Sequence, residues 1–194
     1  MKALAKIPGR MTIGEFLAWT PPMAQLWQLV DGEPQAMAPA SRTHGAIQSE
    51  LARLIGNELG ERASPCTVIT APGVIPQVQS ETNIRIPDLA VTRSGYDEEE
   101  SALTNPVLLI EILLPGNQAE TWANVWAYTT IPSVQEILVL KTAAVGAELL
   151  RRASDGTWPK QPLVIEAGEL TLESIGFVMP IAAAYRTTRL APKK

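Results

Sequence analysis

The 194-residue sequence contains one cysteine, Cys66, so no intrachain disulfide can form and a reducing compartment suits it best. Cytoplasm is the default expectation. It contains one histidine, His44, and no clustered Cys/His spacing of the kind that holds structural zinc. No stretch approaches the roughly 18 apolar residues of a membrane helix, and the N-terminal MKALAKIPGRMTIGEFLAW lacks the apolar centre of a signal peptide. Lysine is absent between Lys6 and Lys141, the arginines are mostly scattered, and no basic run is longer than a pair such as the tail Lys193-Lys194. With a net charge of −4, this argues against strong non-specific nucleic-acid binding, which draws its affinity from phosphate neutralisation. A local basic patch on an acidic protein stays open.

What remains reads as a globular protein. Hydrophobic residues make up 46% and charged residues 19% of the chain. The length suits one domain spanning 1–194, and no repeat or long linker divides it. Thr12 and Glu15 form a capping-box pattern ahead of a short helix stopped by Pro21-Pro22. Leu26 to Val30 and Pro34 to Met37 read as strands around an Asp31-Gly32 hairpin turn, with Pro34 marking an edge. Ile47, Leu51, Leu54, Ile55 and Leu59 recur at helical spacing and predict a helix over 43–61. Short β segments follow at 67–71 and 74–78, then a strand over 87–92. Tyr96 to Asn105 is acidic and polar, and reads as a solvated loop. Pro106 to Leu114 is almost wholly apolar, as in a strand buried on both faces. A helix over 120–129 and a hairpin of strands at 135–140 and 147–152 come next. Beyond Asp155-Gly156 the chain reads as a small β and helical extension over 154–194, outside a core of about 12–153. The order indicates an α/β or α+β fold with a mixed central sheet flanked by helices.

Glu111 sits in the middle of that apolar strand. A buried carboxylate costs several kcal/mol unless it is paired, hydrogen-bonded or neutralised. A metal ion is one efficient partner; an arginine such as Arg85, or a place at the sheet edge, is another. Asp88, after a proline at a strand start, is the second candidate, although the same position can serve a purely structural role. Two hard oxygen ligands on neighbouring strands are what Mg²⁺ or Mn²⁺ requires, with water and a phosphate oxygen completing the shell. Such an ion can activate water and stabilise phosphoryl charge.

Other residues are candidates by position. His44 opens the long helix, where it could line a site, carry a proton or serve as a cap. Glu50, on the same helix, could face solvent or a cleft. Glu120, Asn124 and Tyr128 fall at four-residue steps and share one helix face; they could overlook the acids or form a polar stripe anchored by Tyr128. Five tryptophans could stack on bases, but the spacing of Trp122 and Trp126 favours packing.

Pro87-Asp88 followed by Glu111-Ile112-Leu113 resembles the PD-(D/E)XK nuclease core. Leu26-Trp-Gln-Leu-Val-Asp-Gly-Glu33, the helix near His44, Asn83 to Val91, Pro106 to Pro115 and Tyr128 to Val139 together resemble the Uma-two family of restriction endonucleases, over roughly residues 12–190. The resemblance implies a restriction-endonuclease-like fold in which Asp88 and Glu111 bind Mg²⁺ or Mn²⁺ and a basic residue assists hydrolysis of DNA phosphodiesters. It also implies a homodimer. The sequence departs from the pattern. Leu113 stands where the nuclease lysine belongs, Asn124 where relatives place a helix lysine, and Gln28 where they carry an acid in the first strand. Lys141, at the end of a neighbouring strand, is then the nearest lysine able to replace the missing one; Arg85 could supply charge but is a poor proton donor. Two further readings stand beside a nuclease using Asp88, Glu111, Asn124, Lys141, His44 and Gln28. One is a degenerate nuclease fold acting as a dimeric binding or assembly module. The other is an enzyme of another kind that uses Glu111 as general base.

Overall fold

Thr12 opens the first helix of the computed structural model, which describes residues 9–95 and 100–191. Its hydroxyl accepts from the Glu15 N–H, and the Glu15 carboxylate accepts from the Thr12 N–H at 2.8 Å, so the capping box of α1 (Ile13–Ala18) is complete. Strands β1 (Trp27–Val30) and β2 (Glu33–Ala36) form a separate antiparallel hairpin. Asp31 and Gly32 both take positive φ, 51° and 86°, the pair of left-handed residues that matches strand twist in a two-residue turn. That register sets Gln28 directly across from Gln35.

Helix α2 (Arg42–Glu61) is capped by Ser41, whose hydroxyl accepts from the His44 N–H at 3.2 Å. Its apolar stripe of Ile47, Leu51, Ile55 and Leu59 is buried. The main sheet follows, from β3 (Thr67–Thr70), β4 (Leu89–Thr92), β5 (Pro106–Leu113), then α3 (Gln118–Tyr128), β6 (Glu136–Lys141), β7 (Ala147–Arg151) and β8 (Leu163–Ile165). Strand order in this sheet is β3-β4-β5-β6-β7-β8. The β5–β6 pair is parallel, joined through α3, and the other pairs are antiparallel. All eight residues of β5 are buried, as its continuous apolar run requires. Period-two alternation sends Leu108, Ile110 and Ile112 to the α2 side, and Leu109 and Leu113 to the α3 side. Glu111 therefore shares the α3 side.

Residues 154–191 are not an appendage. β8 extends the main sheet, and β9 (Glu169–Leu172) with β10 (Phe177–Pro180) makes an antiparallel pair. Leu170, Leu172, Phe177, Ile181 and Tyr185 join the same apolar cluster as the α2 stripe. Segment 74–78, expected as a strand, makes only a single bridge between Val74 and Arg85. The acidic part of the 96–105 loop, residues 96–99, and the Lys193-Lys194 tail lie outside the described residues. Among the described residues no helix is long and apolar enough to cross a membrane.

Candidate active site

Parallel neighbours β5 and β6 end on the same side of the sheet, and crevices beyond the carboxyl ends of such strands are where α/β folds place ligands. A cleft of about 1000 Å³ opens there, walled by the β1–β2 hairpin, the first turns of α2, the approach to β4, and the segment from the end of β5 into α3. Asp88, Glu111, His44, Gln28 and Asn124 all line it.

Asp88 is held on every side. Its backbone carbonyl accepts from the Ala71 N–H at 3.0 Å and from the Gln48 side-chain amide at 2.8 Å. One carboxylate oxygen, Oδ2, accepts from the Ile112 N–H at 2.7 Å, tying the start of β4 to the end of β5. The other, Oδ1, lies 3.0 Å from His44 Nε2. His44 Nδ1 is buried without a partner among the described residues.

Glu111 is 7% exposed. The Tyr128 hydroxyl donates to its Oε1 at 2.7 Å from α3. Burial raises the Glu111 carboxyl to about 8, the neighbouring Asp88 carboxylate pushes the same way, and hydrogen bonds from Tyr128 and Asn124 partly offset the shift. Burial also pushes the Tyr128 phenol upward, assisted by the charge of Glu111. The two acids therefore meet in one cleft, and the charge of Asp88 acts on Glu111.

Arg85 does not pair with Glu111. Its Nη1 donates to Asn124 Oδ1 at 2.8 Å and its Nη2 to Asn83 Oδ1 at 3.0 Å, with Asp31 Oδ1 3.8 Å away. With the Asn124 oxygen committed to Arg85, its NH₂ is the end left for Glu111. Burial lowers the Arg85 pKa from its ordinary value, and the Asp31 charge opposes that.

Lys141 is placed elsewhere. It pairs with Glu148 at 3.2 Å and does not line the cleft, even though the β5–β6 register sets it beside Leu113. Glu50 is also apart, bound by Arg53 at 2.7 Å and Arg186 at 2.9 Å, which hold it at about 2. Glu120 lies on the cleft rim. Trp122 and Trp126 pack against each other with ring centroids 6.0 Å apart, and no tryptophan lines the cleft. Gln48 was the missed contributor, and its place four residues after His44 on one helix face was the available signal. Nothing in the sequence marked the Arg85–Asn124 link, because it joins a loop to a helix distant in the chain.

Related proteins match most of the chain. The chain is 27% identical over 177 residues to the uncharacterized protein slr1290 of Synechocystis sp. (strain ATCC 27184 / PCC 6803 / Kazusa), covering 89% of this chain and 90% of that one. It is 25% identical over 161 residues to a second protein of that strain, the uncharacterized protein sll1609, covering 82% and 91%. A crystal structure of a putative nuclease belonging to DUF820, from Anabaena variabilis ATCC 29413, superposes with a TM-score of 0.72 at 18% identity, over 90% of this chain and 97% of that one. That likeness shows the restriction-endonuclease-like fold. The Uma2 family model, described as putative restriction endonuclease, matches residues 13–182, and the chain belongs to that family.

Proposed function

We propose that the chain is a metal-dependent endonuclease that hydrolyses DNA phosphodiester bonds in this cleft, with Asp88 and Glu111 holding Mg²⁺ or Mn²⁺. The observation that carries the reading is the meeting of two carboxyls in one cleft, Asp88 just before β4 and bound to the Ile112 N–H, and Glu111 in β5, raised to about 8 by burial and by the other's charge. Their donor set fits the ion. Both ligands are hard oxygen donors, and a cation between them would relieve their repulsion. Among the described residues no third His, Cys, Asp or Glu completes a ready-made cluster, so water and substrate oxygens would fill the remaining positions. Once bound, the ion supplies Lewis acidity toward the phosphoryl group and an activated water.

The chain's own residues do the positioning. Tyr128 orients Glu111 through its hydroxyl, and Asn124, held by Arg85, lowers the carboxyl's pKa against the effect of burial. The Ile112 N–H fixes one Asp88 oxygen. His44 is the ring at the cleft able to take or give a proton, and its place against Asp88 keeps it within the site. Since Lys141 is turned to Glu148, the role of the missing lysine passes to His44 and Asn124.

The cleft's lack of a lysine among the described residues favours a second reading, a nuclease fold that binds without cutting. Manganese titration separates the two. The nuclease reading predicts heat of binding and a stabilisation of about 2.7 kcal/mol at a hundredfold excess over Kd, together with nicking of supercoiled plasmid. All three should vanish in Asp88→Asn. Wild-type protein that neither binds manganese nor nicks DNA would overturn the nuclease reading.

A further inference from the structure

The cleft that holds the two acids has an unusual lining for a surface that meets nucleic acid. Side-chain amides dominate its polar part: Gln25, Gln28, Gln35, Gln48, Asn117 and Asn124. The β1–β2 register sets Gln28 and Gln35 side by side on one wall. Gln28 Oε1 is buried with no partner among the described residues. Apolar surface alternates with the amides through Leu26, which is 52% exposed, and through Met37, Leu114 and Pro115. The acids present are Asp88, Glu111 and Glu120, and no lysine or arginine lines the cleft among the described residues.

Duplex DNA presents two phosphate strands, and proteins that grip it gain most of their affinity from ammonium and guanidinium groups. This lining meets such a surface with acids and amides. An unpaired nucleotide presents different chemistry. Its base has two flat apolar faces and a free edge carrying both donors and acceptors. A carboxamide offers one of each on a single group, and exposed aliphatic side chains cover a base face. We infer that the cleft takes an unpaired stretch of nucleic acid, its bases read by the Gln28–Gln35 wall and packed on the Leu26, Met37 and Leu114 surface. The inference rests on the nuclease reading for its scissile phosphate and adds the substrate class: single-stranded ends, gaps or loops in preference to continuous duplex.

The test is fluorescence anisotropy with labelled oligonucleotides of one sequence, as single-stranded DNA, single-stranded RNA and DNA duplex, with Ca²⁺ replacing Mg²⁺ so that cutting does not intervene. At least one single strand should bind about tenfold tighter than the duplex, the DNA and RNA arms telling which sugar is accepted. Between about 50 and 200 mM salt its affinity should fall by less than about tenfold, against the 10³ to 10⁵ lost by proteins making many phosphate contacts. Gln28→Ala with Gln35→Ala should weaken binding about tenfold at unchanged melting temperature, and Gln35→Ala alone, at an exposed position, should move it the same way. Equal or tighter duplex binding, a salt loss of about 10³ or more, or no binding of any strand would overturn the inference. Cleavage of the same oligonucleotides with Mn²⁺ reports on the nuclease reading separately. A strand bound but never cut refutes hydrolysis alone, whereas a duplex cut as fast as the single strand refutes the preference alone.

Discussion

Glu111 controls the chemistry of the cleft because its environment resists its charge. Burial and Asp88 raise its carboxyl from the ordinary 4.5 to about 8, while Tyr128 and Asn124 pull the other way. In the metal-free protein the folded state therefore holds this proton more tightly than the unfolded chain does. Its contribution to stability is complete below the unfolded pKa and is lost as pH climbs through the folded one. Urea unfolding in the presence of a chelator should show stability falling between about pH 5 and pH 8, by on the order of a few kcal/mol. Glu111→Gln should remove most of that slope, because it keeps the shape and drops the charge. A slope unchanged in the variant would place the titration on another group. At this scale the sequence marked the acids and put His44, Asn124 and Tyr128 forward as neighbours, but it did not show the bonds that hold those neighbours in place. A charged residue inside Val107 to Leu114 stands out by burial cost alone, whereas the Arg85–Asn124 bond depends on a loop meeting a helix.

Elements explain why the site is where it is. Helix α2 brings His44 to Asp88 from its first turn, and Ser41 fixes that turn by accepting the His44 N–H. Ser41→Ala should cost about 1 kcal/mol through the lost cap, as read by the melting temperature, and should loosen the His44–Asp88 contact as read by the ring's chemical shifts. An unchanged ring environment would show that α2 is positioned by its apolar stripe alone. That stripe was plain in the sequence because Ile47, Leu51, Ile55 and Leu59 repeat at helical spacing. The strand β5 was equally plain from its length and apolarity. Segment 74–78 misled because Val74 to Val78 carries strand-like residues without a neighbour to pair with, and only Val74 finds one. Lys141 misled for a related reason. Lys141 does stand beside β5, but register also sets Glu148 on the next strand, and that carboxylate holds it.

Across the whole molecule, the C-terminal quarter is part of the core rather than an addition to it. The sequence suggested an extension because short strands and Gly-rich turns follow a complete α/β pattern, and contacts between distant segments leave no local trace. In the structure Phe177, Ile181 and Tyr185 pack with the α2 stripe, and Arg186 pairs with Glu50 on that helix. The Tyr185 hydroxyl also donates to the Lys141 carbonyl at 2.8 Å, linking the last segment to β6. Removing residues 154–194 should therefore abolish cooperative thermal unfolding, measured by calorimetry, because it uncovers one face of the central sheet. A truncated chain that still melts in a single sharp transition would show the core to be independent of it.

The most direct test of the account is anomalous diffraction from a crystal soaked in manganese. One strong peak is expected about 2.0–2.6 Å from a carboxylate oxygen of Asp88 and one of Glu111, with His44 displaced from Asp88 Oδ1. Saturating manganese that leaves no peak there, with His44 Nε2 still against Asp88, would contradict it.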